Sequence, residues 1–401
     1  MAGRRWSPQA HRNMNTSLAL GLHDRFREAF GGRPLLFRSP GRINLIGEHT
    51  DYNEGYVLPA AIGQSVYVAI APREDDGIRL HALSLGETFA TGLSGIRPSG
   101  KGWPDYILGV VDQLKEAGLP VRGFDMSIDS DLPVGAGVSS SAALSCATVF
   151  ALDAVNGYAL PRERMIRMAQ LAEHRYAGVM CGIMDQFASM FGRQARFMRL
   201  DCRSMEFEYI PFSAPGMSLL LLNSNVKHSL ASSAYNTRRN ECAAGLELVR
   251  REEPAVQSLR DVTVEMLERW VLPTAPVAYR RCRYVVEENG RLLELCRDLE
   301  EGDLRSAGRR MLQTHAGLRD GFEVSCPELD ILVELAAGME GVLGARMMGG
   351  GFGGCTINIV QTEALESLVG EMRQGYLRRT GRDLAPYVVE PGPGTGPVHI
   401  P

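Results

Sequence analysis

Apolar and polar residues alternate along FDMSIDSDL, residues 124–132, and this alternation predicts a half-buried β-strand. The run ALSCATVFALDAV, residues 143–155, is almost wholly apolar, contains good helix formers and predicts a helix. Between the two lies PVGAGVSSSAAL, residues 133–144. A glycine- and serine-rich loop therefore joins a strand to the N-terminus of a helix.

The first third of the chain predicts one helix followed by strands. After a polar lead-in over residues 1–17, LALGLHDRFREAFGG predicts an amphipathic helix closed by Gly31 and Gly32. LLFR and INLI predict two strands separated by a turn at SPGR. QSVYVAIAPRE and IRLHALSLGETFA predict a hairpin about the turn Asp75-Asp76-Gly77.

The remainder is mostly helical. DYILGVVDQLKEAG predicts a helix closed by Gly118, and LPRERMIRMAQLAEHRYAG one that ends at Gly178. LLLLNSNVKHSL predicts a buried strand, and helices follow it. ARMMGGGFGGCTINIV predicts a glycine loop that enters a strand, with one more helix and a Pro/Gly tail behind it. We place a domain boundary near residue 212, which gives domains 1–212 and 213–401, the second of them α+β.

Composition narrows the class of protein. With 401 residues, 45% hydrophobic and 22% charged, the chain is typical of a globular protein of two domains. The net charge of −4 indicates neither nucleic acid nor a membrane as partner. No apolar run has the length of a membrane-spanning helix, and the N-terminus lacks the apolar core of a signal peptide. The eight scattered cysteines predict reduced thiols and a cytoplasmic location.

The glycine- and serine-rich loop has the chemistry of an anion site. Gly135 and Gly137 allow positive φ angles and close approach of a ligand, while Ser139, Ser140 and Ser141 offer N-cap oxygens beside free N–H groups. A helix N-terminus of this kind favours phosphate. The loop has no lysine, so it is not a Walker A loop. A capped helix after a glycine turn is the structural alternative.

Three further sites with acidic residues could serve chemistry or structure. Glu48, His49, Thr50 and Asp51 form a dense polar cluster between apolar runs, which favours ligand binding over a solvated loop. Asp185 lies in the apolar segment VMCGIMDQFASMFG, where a carboxylate needs a partner or a task. A helix cap or a buried salt bridge would also explain it. Glu173 by itself would be an ordinary surface acid.

Five segments together resemble the galactokinase family of the GHMP kinase superfamily. GRINLIGEHTDYNEGYVLPAAI resembles the galactokinase signature, PVGAGVSSSAAL the superfamily's nucleotide loop and MMGGGFGGCTINIV its C-terminal motif. CGIMDQ and NSNVKHSLASSAYNTRR also match segments of galactokinase type. The resemblance runs from about residue 20 to the tail. Met348 stands where galactokinases often carry Thr, and Ala234 replaces a frequent acid, so fine contacts there differ.

The resemblance implies a fold, a reaction and its partners. The fold is α/β (α+β), with an N-terminal lobe like ribosomal S5 domain 2, a C-terminal ferredoxin-like lobe and the active site in the cleft. The implied reaction transfers the γ-phosphoryl group of ATP to the anomeric hydroxyl of galactose, giving galactose 1-phosphate and ADP. Galactose and ATP are then the small-molecule partners, with Mg²⁺ as cofactor. We expect a monomer or a weak homo-oligomer.

The resemblance also assigns roles to residues. Those implied to hold the nucleotide are Ser84, near the base, and the loop residues Gly135, Ala136, Gly137, Val138, Ser139, Ser140 and Ser141. Ser141 and Glu173 would hold Mg²⁺, which keeps several waters when bound. The GGGFGG stretch at 349–354 would let backbone approach the substrates, with packing as the alternative.

The sugar side and the reacting carboxylate come from the same resemblance. Those implied to bind the sugar are Glu48, His49, Thr50, Asp51 and Tyr235. Asp185 would accept the proton of the anomeric hydroxyl or orient that hydroxyl, and Arg42 would pair with it and stabilise the moving phosphoryl group.

Two alternatives stay open at this point. The first keeps the kinase and changes the sugar to N-acetylgalactosamine or L-arabinose. The second is a galactose and ATP sensor without catalysis, as in relatives that have lost part of the serine loop. Because the run from Ser139 to Ala143 is complete here, the sequence favours catalysis over a sensor.

Overall fold

The computed structural model describes residues 15–133, 135–212, 214–227 and 231–400. Most of the expected polar lead-in and the end of the LLLLNSNVKHSL segment lie outside these ranges.

The described residues form the following elements. The helices are α1 (Thr16–Phe30), α2 (Trp103–Glu116), α3 (Ser140–Asn156), α4 (Arg162–Ala172), α5 (Met184–Phe191), α6 (Ala231–Glu252), α7 (Val264–Trp270), α8 (Pro276–Glu301), α9 (Leu304–Ala316), α10 (Pro327–Ala337) and α11 (Leu365–Thr380). The strands are β1 (Leu35–Asn44), β2 (Tyr56–Val57), β3 (Pro59–Pro72), β4 (Gly77–Ala82), β5 (Glu87–Gly92), β6 (Phe124–Ser130), β7 (Arg196–Asp201), β8 (Phe207–Pro211), β9 (Met217–Lys227), β10 (Val342–Met347), β11 (Gly353–Gln361), β12 (Ala385–Val389) and β13 (Gly396–Pro397).

The first lobe is built on a six-stranded sheet in the order β13-β1-β3-β6-β4-β5. Successive side chains of β3 point to opposite faces of the sheet. On one face, Tyr67 and Ala69 pack in an apolar cluster with residues of α1. Val66, Val68 and Ile70 pack in the main core on the other side, where α3 lies. Both faces of this strand are therefore covered by helices, and α3 carries the glycine- and serine-rich loop at its start.

The predicted turn at SPGR is wrong, because β1 runs through it. The pairing of β1 with β3 is irregular between Pro40 and Arg42, and there the Arg42 N–H donates instead to the Val138 carbonyl at 3.0 Å. A Cβ on Gly41 would lie 2.7 Å from that same carbonyl oxygen, so only glycine lets the strand approach the loop this closely. A bulge replaces the turn.

The predicted hairpin of β3 with β4 is also wrong. Strand β6 lies between them, antiparallel to β3 and parallel to β4, while β4 forms its hairpin with β5. The link at Asp75 crosses over Gly123, where a Cβ would lie 2.1 Å from the Asp75 carbonyl oxygen. Alternation predicted the strands correctly, but it carries no information on which strands pair.

The second lobe has the predicted ferredoxin-like form. Its four strands are antiparallel in the order β10-β11-β9-β12, which is 2-3-1-4 when they are counted along this lobe. Helices α10 and α11 pack on one face of this sheet. The other face, with Leu219, Leu221, Ile357 and Ile359, belongs to the same core cluster as the first lobe. The two lobes thus share one continuous apolar core.

The Pro/Gly tail returns to the first lobe. It contains β12, which pairs with β9, and β13, which pairs with β1 at Phe37 and Arg38. We propose that residue 212 marks the first crossing between the lobes and that residues 390–400 are an extension back across it. A third, smaller sheet of β2, β7 and β8 lies in the first lobe. None of the helices in the described ranges is long and apolar enough to cross a membrane.

Helix α9 can approach β10 only because both carry glycine at the contact. A Cβ on Gly308 would lie 1.9 Å from the Leu343 carbonyl oxygen, and one on Gly344 would lie 2.5 Å from the Gly308 Cα. We expect Gly308→Ala to lower the free energy of unfolding by about 1–3 kcal/mol, measured by denaturant titration, because backbone must shift.

The matched control is Gly290→Ala in the exposed part of α8, where a Cβ meets nothing within 4 Å. This change should raise the free energy of unfolding by about 0.5–1 kcal/mol, since alanine favours helix. Equal effects of the two substitutions would contradict the close packing of α9 on β10.

Candidate active site

A cavity of about 140 Å³ lies in the cleft where the two lobes meet. Its walls come from β1, the loop after β1, the start of α3, the segment before α5, the start of α6 and the loop between β10 and β11. The lining residues are Arg42, Glu48, His49, Asp51, Ser141, Glu173, Val179, Cys181, Gly182, Met184, Asp185, Tyr235, Gly349 and Gly350.

A bidentate ion pair forms one wall of this cavity. The Arg42 Nε and Nη2 atoms donate to the two carboxylate oxygens of Asp185 at 2.7 and 3.0 Å. The third donor, Nη1, is bonded to the Gly137 carbonyl at 2.7 Å. Burial alone would lower the pKa of Arg42, but the negative charges of Asp185 and Glu48 raise it overall, so the guanidinium stays charged. Asp185 is therefore held in one orientation.

Ser139 does not cap α3, contrary to the expectation from sequence. Its backbone is left-handed, with φ 60° and ψ 52°, and its hydroxyl donates to Asp185 Oδ2 at 2.5 Å. The first N–H groups of α3 are consequently not covered by this side chain. Gly135 and Gly137 have φ angles of 72° and 68°, as the loop was predicted to require.

The second glycine loop, residues 348–352 between β10 and β11, packs against the first. A Cβ on Gly349 would lie 3.6 Å from the Gly137 carbonyl oxygen, and one on Gly354 would lie 3.9 Å from the Ala136 carbonyl oxygen. Gly351 has φ 86°, and its Cβ would clash at 2.2 Å with the Val324 carbonyl oxygen. Packing within the second lobe therefore accounts for Gly351, while a Cβ on Gly349 or Gly354 would make only ordinary contacts with the first loop.

A second cavity, of about 350 Å³, opens on the other side of the loop. Its lining includes Ser84, Gly135 and Ser140, and also Trp103 and Tyr106 at the start of α2. Ser141 lines both cavities, so they meet at the N-terminus of α3. Sequence reasoning missed the two aromatic residues, because nothing in the spacing of α2 distinguishes them from core positions.

Glu48 is anchored by the other lobe. Its Oε1 accepts from the Gly349 N–H at 2.8 Å and from Arg346 Nη2 at 3.0 Å. Among the described residues, both hydrogen bonds to this carboxylate end on Oε1, which leaves Oε2 for a ligand. Sequence reasoning missed Arg346, although it is the one charged residue in strand β10 and is fully buried.

His49 presents a neutral ring to the cavity, and Asp51 presents a carboxyl group with a raised pKa. Burial lowers the pKa of His49 to about 3, so the ring is uncharged, and its Nδ1 lies 2.8 Å from the Tyr52 hydroxyl. Burial, followed by the charge of Asp185, raises the pKa of Asp51 to about 7. The ring of Tyr235 lies 5.2 Å from that of His49. A Cβ on Gly182 would lie 1.8 Å from Asp51 Oδ2, so glycine leaves the room for this carboxylate.

Thr50 is not brought to the cavity with its neighbours. Its side chain is buried, and its hydroxyl donates to the carbonyls of Gly47 at 2.9 Å and Tyr56 at 2.5 Å. These bonds close the loop of residues 47–56, which we call the acidic loop. The Thr50 side chain therefore stabilises this loop and does not line the cavity.

Glu173 and Ser141 lie together where the two cavities meet. Burial, and then the negative charge of Asp185, raise the pKa of Glu173 to about 7, although hydrogen bonds from Ser141 and Gln186 lower it. Gln186 Nε2 donates to its Oε1 at 2.6 Å. A cation beside this carboxylate would favour its charged form. The part of the chain that the structure describes holds no cluster of three or more His, Cys, Asp or Glu side chains suited to a metal. One carboxylate and one hydroxyl nevertheless fit Mg²⁺, which completes its shell with phosphate oxygens and water.

The fold, the glycine- and serine-rich loop at the start of α3 and the two adjoining cavities identify the chain as a GHMP kinase. Residues 105–193 match the GHMP kinases N terminal domain, and residues 295–376 match the GHMP kinases C terminal region. Residues 24–72 match the galactokinase galactose-binding signature, which spans β1, the acidic loop and β3.

Similarity to individual proteins identifies the family within this superfamily. The galactokinase of Roseiflexus sp. (strain RS-1) is 39% identical over 378 residues, covering 94% of this chain and 96% of the relative. That of Thermotoga maritima is 41% identical over 357 residues, covering 89% and 98%. The crystal structure of Lactococcus lactis galactokinase complexed with galactose matches with a TM-score of 0.91 at 34% identity, over 95% of this chain and 100% of that one. The chain belongs to the galactokinase family. A mevalonate kinase structure, with a TM-score of 0.62 and 20% identity, shares the fold.

The raised pKa of Glu173 predicts a pH-dependent effect on stability. The pKa of Glu173 is about 7 in the folded protein, whereas its ordinary pKa, taken for the unfolded chain, is 4.5. Between pH 4.5 and 7 the folded state therefore binds a proton that the unfolded state has lost. Wild-type stability from this group therefore falls as pH rises through that window. We expect Glu173→Gln to unfold with a free energy close to that of the wild type at pH 4.5. At pH 8, without Mg²⁺, it should exceed the wild type by roughly 3 kcal/mol.

The measurement is urea unfolding of both proteins across this pH range. The control is Glu163→Gln, at an exposed acid near the start of α4, the helix that ends directly before Glu173, and it should give a small difference throughout. A Glu173→Gln difference that stays constant from pH 4.5 to 8 would contradict the raised pKa.

Proposed function

We propose that this protein is a galactokinase that transfers the γ-phosphoryl group of ATP to the anomeric hydroxyl of D-galactose, giving galactose 1-phosphate and ADP. One observation carries the proposal. Asp185, fixed by Arg42, lies in the wall of a small polar cavity that meets a second cavity at the N-terminus of α3. Because the two cavities adjoin, this arrangement supports a hydroxyl acceptor in one and a phosphate chain in the other.

The nucleotide occupies the larger cavity in this proposal. The backbone N–H groups from Gly135 to Ser141 and the positive end of α3 bind the phosphates. The base contacts the aromatic side chains Trp103 and Tyr106 in this proposal, and Ser84 also lines the cavity. Because no lysine is present in this loop, backbone donors and the Arg42 guanidinium provide the positive potential.

Galactose occupies the smaller cavity. The Oε2 atom of Glu48, the neutral ring of His49, the Asp51 carboxyl group and Tyr235 surround it with both donors and acceptors, which suits hydroxyl groups. A buried polar group that loses its partner costs about 1–3 kcal/mol, so an epimer with one displaced hydroxyl binds more weakly.

Asp185 accepts the proton from the anomeric hydroxyl, or orients that hydroxyl, as the oxygen attacks the γ-phosphorus. Phosphoryl transfer depends mainly on positioning and charge stabilisation, and the bidentate contact to Arg42 provides the positioning. In this proposal the Arg42 guanidinium also stabilises charge on the transferring group. General-base assistance of this kind contributes about 10²–10⁴-fold to the rate.

Ser141 and Glu173 would hold Mg²⁺ together with the phosphates. The ion, when bound, supplies charge neutralisation for the phosphate chain. The buried carboxylate of Glu173 is then paired, which removes the penalty that raises its pKa in the free protein. The serine hydroxyl orients this carboxylate through the hydrogen bond between them.

We further propose a cytoplasmic location and a monomer or weak homo-oligomer that acts on small molecules. All eight cysteines are free thiols, which is typical of a reducing compartment. The complete serine loop and the ordered Arg42–Asp185 pair favour catalysis over a sensor.

The variant that tests this function is Asp185→Asn, which keeps the shape and removes the charge. We expect it to lower kcat for galactose by about 10²–10⁴-fold while nucleotide affinity changes little, because Asp185 does not line the nucleotide cavity. The measurement is coupled ADP release over a panel of galactose, glucose, N-acetylgalactosamine and L-arabinose, with nucleotide binding measured by calorimetry.

Asp153→Asn, in the same lobe near the end of α3, is the control and should leave turnover intact. Near-normal turnover of Asp185→Asn would make Asp185 a structural residue. Wild-type activity on N-acetylgalactosamine or L-arabinose and not on galactose would replace the proposed substrate. Binding of both ligands with no ADP release would make the protein a sensor.

A further inference from the structure

Helix α8, which belongs to the second lobe, supports the acidic loop of the first lobe. Three α8 side chains form hydrogen bonds with its main chain, and none of the three lines the cavity. The Tyr284 hydroxyl donates to the Glu48 carbonyl at 3.0 Å, and Glu288 Oε1 accepts from the Gly47 N–H at 2.9 Å. Asn289 Oδ1 accepts from the Tyr56 N–H at 2.9 Å.

Tyr284 and Glu288 lie on one face of α8, because they are four positions apart, and Asn289 follows Glu288 directly. All three are buried, and Glu288 is wholly inaccessible to solvent. They contact the loop at both of its ends and next to its first acidic side chain. These three hydrogen bonds fix the positions of both ends of the loop and the orientation of Glu48.

Two glycines bring the loop down onto the helix. A Cβ on Gly47 would lie 2.7 Å from Leu292 Cδ1, and one on Gly55 would lie 2.5 Å from Asn289 Oδ1. Gly47 also has φ 92°, which other residues rarely adopt. The loop could not rest on α8 at this distance with side chains at either position.

Glu288 is itself held in place by the helices around it. Its carboxylate accepts from the Thr314 hydroxyl of α9, at 2.9 Å to Oε2, and from Arg291 Nη1 one turn further along α8. Burying a carboxylate carries a large desolvation cost, which packing alone does not explain. Here the buried carboxylate is fully hydrogen-bonded, and one of its bonds is to the N–H of a loop residue.

We propose that Glu288, supported by Tyr284 and Asn289, is a positioning residue for sugar recognition, which sets the geometry of Glu48, His49 and Asp51 without touching the substrate. The inference rests on the proposed function. Without the Glu288 acceptor, the Gly47 N–H is left unpaired and the start of the loop is free to shift. A displacement of about 1 Å in such a site can lower activity by about 10²-fold.

The test compares Glu288→Ala with Asp298→Ala. Asp298 is also a buried carboxylate on α8 and also pairs across to α9, where Arg310 Nε donates to it at 2.5 Å, but it does not contact the acidic loop. Both variants should lose thermal stability. Glu288→Ala alone should raise the galactose KM by about tenfold or more, with the ATP KM within about twofold of the wild type.

Two further variants keep the test open if Glu288→Ala does not fold. Glu288→Gln retains an oxygen acceptor for the Gly47 N–H and should restore most of the galactose affinity. Tyr284→Phe removes only the hydroxyl bond to the Glu48 carbonyl and should raise the galactose KM by about threefold to tenfold, in line with one lost hydrogen bond.

The outcomes separate this inference from the function on which it rests. A wild-type protein that does not phosphorylate galactose overturns the proposed function. An active wild type whose galactose KM is the same in Glu288→Ala and Asp298→Ala, or unchanged in Tyr284→Phe, overturns the positioning role alone. Calorimetric titration with galactose in the absence of nucleotide should reproduce the same order of affinities.

Discussion

The guanidinium of Arg42 and the carboxylate of Asp185 meet through two hydrogen bonds although 143 positions separate them in the chain. Removal of either partner would leave a charge uncompensated in a nearly buried setting, which costs about 3–5 kcal/mol. The pair also ties together the elements around the cleft. Arg42 lies at the bulge of β1 and bonds to Gly137 of the glycine- and serine-rich loop, while Asp185 lies in the first turn of α5 and accepts from Ser139. Strand, loop and helix therefore take up one arrangement, and the two cavities meet within it.

The smaller cavity is completed only when the second lobe is in place. Arg346 and the Gly349 N–H hold Glu48 from β10 and the loop after it, and α8 holds the main chain of the acidic loop. The glycine loops of the two lobes pack against each other, and the apolar core continues from one sheet to the other. In the proposed function, sugar recognition at this cavity therefore depends on contacts from the second lobe, and changes far from the cavity are able to alter it.

Periodicity and turn residues in the sequence were sufficient for most helices and strands, and five motifs were sufficient for the family. They could not predict the pairing of β6 between β3 and β4, because alternation describes the faces of a strand and not its neighbours. They missed the passage of β1 through SPGR, since that bulge depends on a contact with Val138. Arg346 and Glu288 were missed for the same reason. Each is a charged residue within a regular helix or strand, and its structural role depends on a partner hundreds of positions away.

The most direct test is a crystal structure of the protein with galactose, Mg²⁺ and a non-hydrolysable ATP analogue. The account predicts that an Asp185 carboxylate oxygen lies within about 3.2 Å of the anomeric oxygen, with Arg42 still bound to Asp185 and the phosphate chain at the start of α3. A sugar whose anomeric oxygen is out of reach of Asp185, or a nucleotide bound away from Ser141, would contradict it.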